Sequence, residues 1–319
     1  MKDLFVKTPA YKILAADKRE GNLSHAYLLI CDDAELLSEY LVDAAKLIAC
    51  KEEDYCDECR VCRLIGSRSH PDVGFYPKDG AKKPLVSDAD EVVAESVVKP
   101  YEIDKRLFVI DKFEELLQNQ NKLLKTLEEP PKNVILLLGA QKESAILPTV
   151  RSRVRKLIAP PLGDKELLAE FGSVFTDAKR AAAAAVLSGG SLGKMRNVYA
   201  DEAQFALFDK VLDFLSSAGS AKDLPRFVAA FSSYQTADVI ACFKACLFEI
   251  LKNKCGNRSV IDDIRLDAAV ENYKEGAIAS IIEKLSDMER SAIFNGNRTM
   301  LLDGVLFAVM EEKARWQRL

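Results

Sequence analysis

The chain has 319 residues, 49% of them apolar and 29% charged, with a formal net charge of −4. That length and balance predict a soluble globular protein of two or three domains and exclude a disordered or fibrous chain. The small acidic excess also excludes a general basic field drawing the molecule onto nucleic acid, leaving only local contacts or contacts through partners.

The opening stretch MKDLFVKTPAYKILAADKRE carries charges every few residues and no apolar run. It predicts neither a signal peptide nor a membrane anchor, and VILLLGA (134–140) is too short to span a bilayer. The expected address is cytoplasmic, which argues against a disulfide framework for the eight cysteines. Five apolar runs follow in order: AYLLI (26–30), VGFYP (73–77), RLFVI (106–110), VILLL (134–138) and VRKLI (154–158). Leu37, Leu41, Ala44, Ala45 and Ile48 recur with a helical period behind the first run. Residues 88–98 and 113–128 also read as helices, the second stopped by Pro130-Pro131. Strands alternating with helices predict a parallel sheet covered on both faces.

After Pro160-Pro161 the strand signals stop. Helical patterns continue, broken at SGGSLG (188–193), around 217–225, at NKCGNRS (253–259) and at FNGNR (294–298). The expected fold class is therefore α/β followed by all-α. An α/β domain covers 1–161, a small helical segment 162–205 and a larger helical domain 206–319. In that last part FKACLFEILKN (243–253) and MLLDGVLFAVMEEKARWQRL (300–319) are strongly apolar helices, expected to pack a core and to leave some surface for a subunit ring.

The turn after the first strand raises a question. Where a nucleotide-binding α/β protein carries glycines and a Lys-Ser/Thr pair, this chain has Cys31, Asp32, Asp33, Ala34 and Glu35. Three carboxylates without a glycine repel a polyphosphate and leave few free N–H donors.

Cys50, Cys56, Cys59 and Cys62 form C-x5-C-x2-C-x2-C directly after the first helix. Four thiolates that close together suit tetrahedral Zn²⁺ in a closed structural site. An iron–sulfur cluster stays open as a rival, although the ferredoxin-type continuation x3-C-P is missing after Cys62. Cys31, Cys242, Cys246 and Cys255 are scattered and read as small buried hydrophobes. His25 and His70 stand apart with no nucleophile pattern, so His70-Pro71 is expected to fix a turn and His25 to pack beside the first strand.

RLFVID (106–111) has the form of a Walker B strand ending in Asp111, but Lys112 stands where the next acid would orient water. LLKTLEEPP (123–131), NVILLLGA and ILPTVRSRV (146–154) follow, and SHAYLL (24–29), the cysteine cluster and SHPDV (69–73) precede. In order and spacing these motifs resemble the AAA+ clamp-loader subunits of bacterial DNA polymerase III over residues 1 to about 160. The resemblance implies an AAA+ parallel-sheet domain, a small helical lid and a C-terminal helical collar.

Motor subunits of that family bind and hydrolyse ATP; a stator subunit has the same shape with a degenerate phosphate loop. The acidic turn, Lys112, Ala140-Gln141 at the sensor 1 position and Gly193 where a lid arginine is expected all place this chain with the stator type. No ATP is expected as a cofactor; structural Zn²⁺ on the four cysteines is. Ser152-Arg153 aligns with the Ser-Arg-Cys motif that supplies an arginine finger in trans to a neighbour's ATP, with Val154 in place of the cysteine. The implied partners are motor ATPase subunits and a delta-type subunit, met through the collar and the Arg153 face, with the sliding clamp and primed DNA reached through the complex and no membrane. Two other readings remain: an active AAA+ ATPase with an unusual phosphate loop, and an iron–sulfur or zinc redox protein.

Overall fold

In the computed structural model, residues 2–78, 81–217, 221–292 and 298–318 are described, and the chain divides into two compact units, Met1–Pro161 and Leu162–Leu319. The expected break at 294–298 lies almost wholly outside the described residues.

The first unit opens with α1 (Lys2–Lys7) and α2 (Pro9–Arg19), the latter started by Thr8, whose hydroxyl accepts from Tyr11 N–H. Then come β1 (Ala26–Ile30), α3 (Ala34–Ala49), α4 (Arg60–Gly66), β2 (Val73–Tyr76), α5 (Val86–Glu95), β3 (Arg106–Ile110), α6 (Leu124–Glu128), β4 (Val134–Ala140), α7 (Pro148–Arg151) and β5 (Arg155–Ile158). The strands form one parallel sheet in the order β2-β3-β4-β1-β5, with Leu28 opposite Leu138 and Lys156 and Phe108 opposite Leu136. All five sit where the apolar runs predict them; β1, β3 and β4 are buried on both faces and so are apolar throughout, whereas the edge strand β5 exposes Arg155, Lys156 and Ile158.

One face packs Ala89 and Val92 of α5 with Phe113, Leu116 and Leu123 against Phe108, Ile110, Leu136 and Leu138. On the other, Leu37 and Leu41 of α3 close on Gly139 of β4, where a Cβ would stand 2.5 Å from Leu41 Cδ1. Glycine is required there by the close approach, not by its backbone angles. Each fully buried Leu or Phe in such a core stabilises by ~1.5–3 kcal/mol.

The continuous helix expected over 113–128 is not formed. Residues Phe113–Leu123 run as a 3₁₀ segment kinked at Leu117 (φ 51°, ψ −125°), and α6 begins only at Leu124. Tertiary hydrogen bonds override the pattern: buried Gln120 donates to the Ala145 carbonyl at 3.2 Å and accepts from Leu147 N–H at 2.9 Å.

The second unit comprises α8 (Asp164–Phe171), α9 (Ala178–Ser188), α10 (Leu192–Ala200), α11 (Glu202–Ser217), α12 (Leu224–Phe231), α13 (Thr236–Lys254), α14 (Ile264–Asn272), α15 (Glu275–Ala292) and α16 (Arg298–Gln317). Among the described residues it contains no strand. Phe214 sits at its centre, edge-on to Phe227 at 4.8 Å and to Phe243 at 5.3 Å, and Ala183 of α9 joins the same core. Cys242 and Cys246 are buried in it as expected; Cys255 is exposed, because it caps α13 just before the left-handed Gly256 turn (φ 83°). Among the described residues no helix is long and apolar enough to cross a membrane.

Candidate functional site

The turn between β1 and α3 is only three residues long, and Asp33 begins the helix. Its buried carboxylate accepts Leu36 N–H at 2.8 Å, so a side chain of the protein occupies the N-terminal end of α3. A helix N-terminus offers N–H groups and a partial positive charge to an anion. Here a fixed carboxylate uses them. Cys31 beside it is a buried thiol whose pKa burial pushes up to about 11, so it stays neutral.

At the end of β3, Asp111 Oδ1 accepts the following Lys112 N–H at 2.8 Å. Lys112 adopts the left-handed conformation (φ 52°) and extends to the Lys82 carbonyl at 2.9 Å. Glu114 accepts Gln141 N–H at 2.9 Å, while Gln141 Nε2 donates to the Asp32 carbonyl at 3.0 Å. Gln141 thus ties the β4 end to the β1 turn. Burial raises the pKa values of both Asp111 and Glu114, which disfavours the paired negative charge that a magnesium site requires. Gly193 lies in the first turn of α10.

Ser152 ends α7, and Arg153 follows it. The Arg153 guanidinium is about one-third exposed and donates through Nη1 to the Thr149 carbonyl at 2.8 Å and Ser152 Oγ at 3.1 Å. Its Nη2 lies 2.7 Å from Glu128 Oε1. The flanking arginines are held elsewhere: Arg151 near Glu143 at 3.6 Å, and Arg155 on buried Asp17 at 2.7 Å.

The four clustered cysteines converge. Cys50 ends α3, Cys59 starts α4, and all four sulfurs lie within 4.8 Å of one another. Cys50 and Cys56 Sγ are 3.8 Å apart, and a tetrahedron with ~2.3 Å metal–sulfur bonds has edges of about 3.8 Å. The thiols therefore fit a single ion; a multi-iron cluster would spread its ligands farther. Cys59 N–H donates to Cys56 Sγ and Cys62 N–H to Cys59 Sγ, both at 3.3 Å, as suits thiolates. Hydrogen bonds from Cys59 and Glu58 lower the Cys56 pKa to about 7, while burial raises that of Cys62.

The surrounding loop is more packed than its polar sequence implies. Tyr55 is fully buried, with the Lys46 ammonium 5.7 Å from its ring centre, and Lys46 pairs with Asp57 at 2.7 Å. Lys18 of α2 donates to the Cys50 carbonyl at 2.8 Å and to the Glu52 carbonyl, bringing a cation beside the thiols.

Residues 6–162 match the family described as DNA polymerase III, delta subunit. That stretch is similar to the family and takes in nearly all of the first unit. Among curated relatives, it is 30% identical over 161 residues to DNA polymerase III subunit delta' of Bacillus subtilis (49% of this chain, 48% of that one). It is 31% identical over 166 residues to the delta' subunit of Escherichia coli (48% of each). It is also 28% identical over 137 residues to subunit gamma/tau of Mycoplasma pneumoniae (42% of this chain, 20% of that one). The chain spans about half the length of the delta' relatives it matches.

The delta-subunit family match covers the first unit, which holds Asp33, Asp111, Arg153 and the four cysteines. Two residues there have roles that motif reading misses. Glu128 lies inside LEEPP, yet only the fold brings it to Arg153. Asp72 lies inside SHPDV and accepts the N–H groups of Tyr101, Glu102 and Ile103 at 2.7, 2.6 and 3.1 Å. His70 makes the turn before it, with Nδ1 accepting Asp72 N–H at 3.1 Å. Acidic residues at loop ends were the available signal in both cases.

Proposed function

We propose that this chain is the non-hydrolysing stator subunit of a sliding-clamp loader acting in DNA replication. The observation that carries the reading is Asp33. A carboxylate that accepts Leu36 N–H in the first turn of α3 stands where the phosphates of a bound nucleotide would be held, and the turn around it adds Asp32 and Glu35 without a glycine. Lys112 turned toward Lys82, and Gln141 bound to the Asp32 carbonyl, support the same conclusion.

In this reading Arg153 acts in trans. Ser152 and the Thr149 carbonyl orient the guanidinium, whose planar fork stays charged and bridges phosphate oxygens of ATP held by a neighbouring motor subunit. The four cysteines hold one structural Zn²⁺; zinc prefers four thiolates, has no redox chemistry, and a closed site leaves no position for substrate. It orders the loop between α3 and α4. The helices over 162–205 serve as the lid and those over 206–319 as the collar, through which other subunits assemble. Sliding clamp and primed DNA are engaged by the complex as a whole.

Reconstitution with motor subunits tests the reading. The purified chain alone is expected to bind no ATP, and Arg153→Ala is expected to lower the ATP turnover of the assembled complex without preventing assembly. Tight ATP binding by the isolated chain would refute the stator role. Unchanged turnover with Arg153→Ala would remove the finger and leave the scaffold.

A further inference from the structure

We propose that the free edge of β2 docks an extended acidic segment of a partner protein. Among the described residues β2 ends the sheet and pairs only with β3, which takes the Asp72 and Tyr76 carbonyls through Leu107 and Asp111 N–H at 2.9 Å each. Main-chain groups alternate in direction along a strand, so the N–H and carbonyl of Phe75 and the carbonyl of Val73 point to the open side. Val73 N–H is used in the His70 turn. A cavity of about 660 Å³ runs along this edge, with Val73, Phe75 and Val109 among its apolar lining.

Charge defines the ligand. The cavity is lined by five cations against two carboxylates, on a chain whose net charge is −4. Lys78 and Arg106 are neutralised by Glu91 and Glu95. Arg68, Lys82 and Lys112 form no ion pair among the described residues. Two of them are nevertheless held in place by neutral oxygens. Arg68 donates to Ser38 Oγ at 2.8 Å and lies over the Phe75 ring at 5.6 Å; Lys112 donates to the Lys82 carbonyl at 2.9 Å. Asp111, in the same cavity, spends one oxygen on Lys112 N–H. Fixed cations that share the single Asp111 carboxyl, beside unpaired strand groups, match an extended peptide with alternate acidic side chains: its main chain extends the sheet and its carboxylates meet Arg68 and Lys112. Edge lysines that only prevent aggregation need no such anchoring. Nucleic acid would use the cations but has no main-chain partner for Phe75.

The test uses the full chain and a fluorescein-labelled heptapeptide alternating Glu and Val. Saturable binding is expected, weakened about tenfold or more by Arg68→Gln with Lys112→Gln and restored by Arg68→Lys with Lys112→Arg. Amide exchange at Phe75 is expected to slow about tenfold at saturation, a change that charge attraction alone does not produce. No binding up to about 1 mM, equal binding of a Lys/Val peptide, or unaltered Phe75 exchange would overturn the proposal. So would displacement of the peptide by a short single-stranded oligonucleotide at lower concentration, or unchanged affinity in a glutamine variant whose thermal melt equals wild type.

Discussion

Arg153 and Glu128 form an ion pair with 2.7 Å between Nη2 and Oε1, and the arginine side chain is 35% exposed. A second hydrogen-bond set, to Thr149 and Ser152, leaves the guanidinium oriented even without Glu128. Exposed pairs of this kind contribute ~0–1 kcal/mol, so Glu128→Gln is expected to leave the melting temperature nearly unchanged. If Arg153 serves a neighbour's ATP, it must exchange Glu128 for phosphate. Turnover at the neighbouring site that Arg153 serves should then be equal or higher with Glu128→Gln, and lower by roughly 10³-fold or more with Arg153→Ala. Steady-state ATPase rates check both; a Glu128→Gln loss as large as that of Arg153→Ala would mean the pair itself is the working unit.

Elemental analysis is expected to give one zinc per chain. Replacing Cys59 by Ser removes a zinc ligand but keeps the N-cap of α4, since a serine hydroxyl accepts Cys62 N–H as the sulfur does. A loss of ~2 kcal/mol corresponds to a melting shift of about 4–8 °C for a unit of this size. Differential scanning calorimetry should place that shift in the first unit, with the same shift in wild type after chelation. A variant that keeps its zinc and its melting point would sink the metal assignment.

Asp72 is 2% exposed and receives three main-chain N–H groups. Burial alone would raise its pKa, but the hydrogen bonds from Tyr101, Glu102 and Ile103 outweigh it and the value is lowered. A lowered carboxylate pKa contributes stability that is present above the unfolded value, ~3.9, and is lost as pH falls through the folded one. Asp72→Asn is expected to cost ~2–3 kcal/mol in urea unfolding at neutral pH. The gap to wild type should shrink at acid pH; a gap that stays constant between pH 7 and the acid limit would rule out the charge as its source.

Gly139→Ala puts a methyl 2.5 Å from Leu41 Cδ1 and 3.4 Å from Leu37 Cδ1. Leu41 is 1% exposed, so it can yield only by moving α3 or leaving its rotamer, at ~1–3 kcal/mol. Shortening the neighbour to Leu41→Val should make the double variant less destabilised than the sum of the single ones. Strict additivity in denaturant titrations would show that the contact does not limit the packing.

The strands were legible because β1, β3 and β4 are buried on both faces and cannot carry polar residues. The segment 113–128 was not, since its path follows the buried Gln120 side chain rather than its own periodicity. Cysteine spacing announced the four-thiol cluster, but not the Lys18 ammonium donated from α2, thirty-two positions upstream of Cys50. The acidic composition of the turn after β1 was readable from the sequence. That Asp33 also completes the helix required coordinates, because capping depends on the first residue of α3 and helix boundaries read from sequence shift by a residue or two.

Asp33 couples the chemistry of its turn to the stability of the helix that follows. A lysine in place of Asp33 would strip the helix of its cap, a loss of about 1 kcal/mol, whereas a glycine there would cost only about a few tenths of that. The order of substitutions would therefore matter to the stability of α3: glycine at position 33 is tolerated best, and a bulkier uncapping residue least.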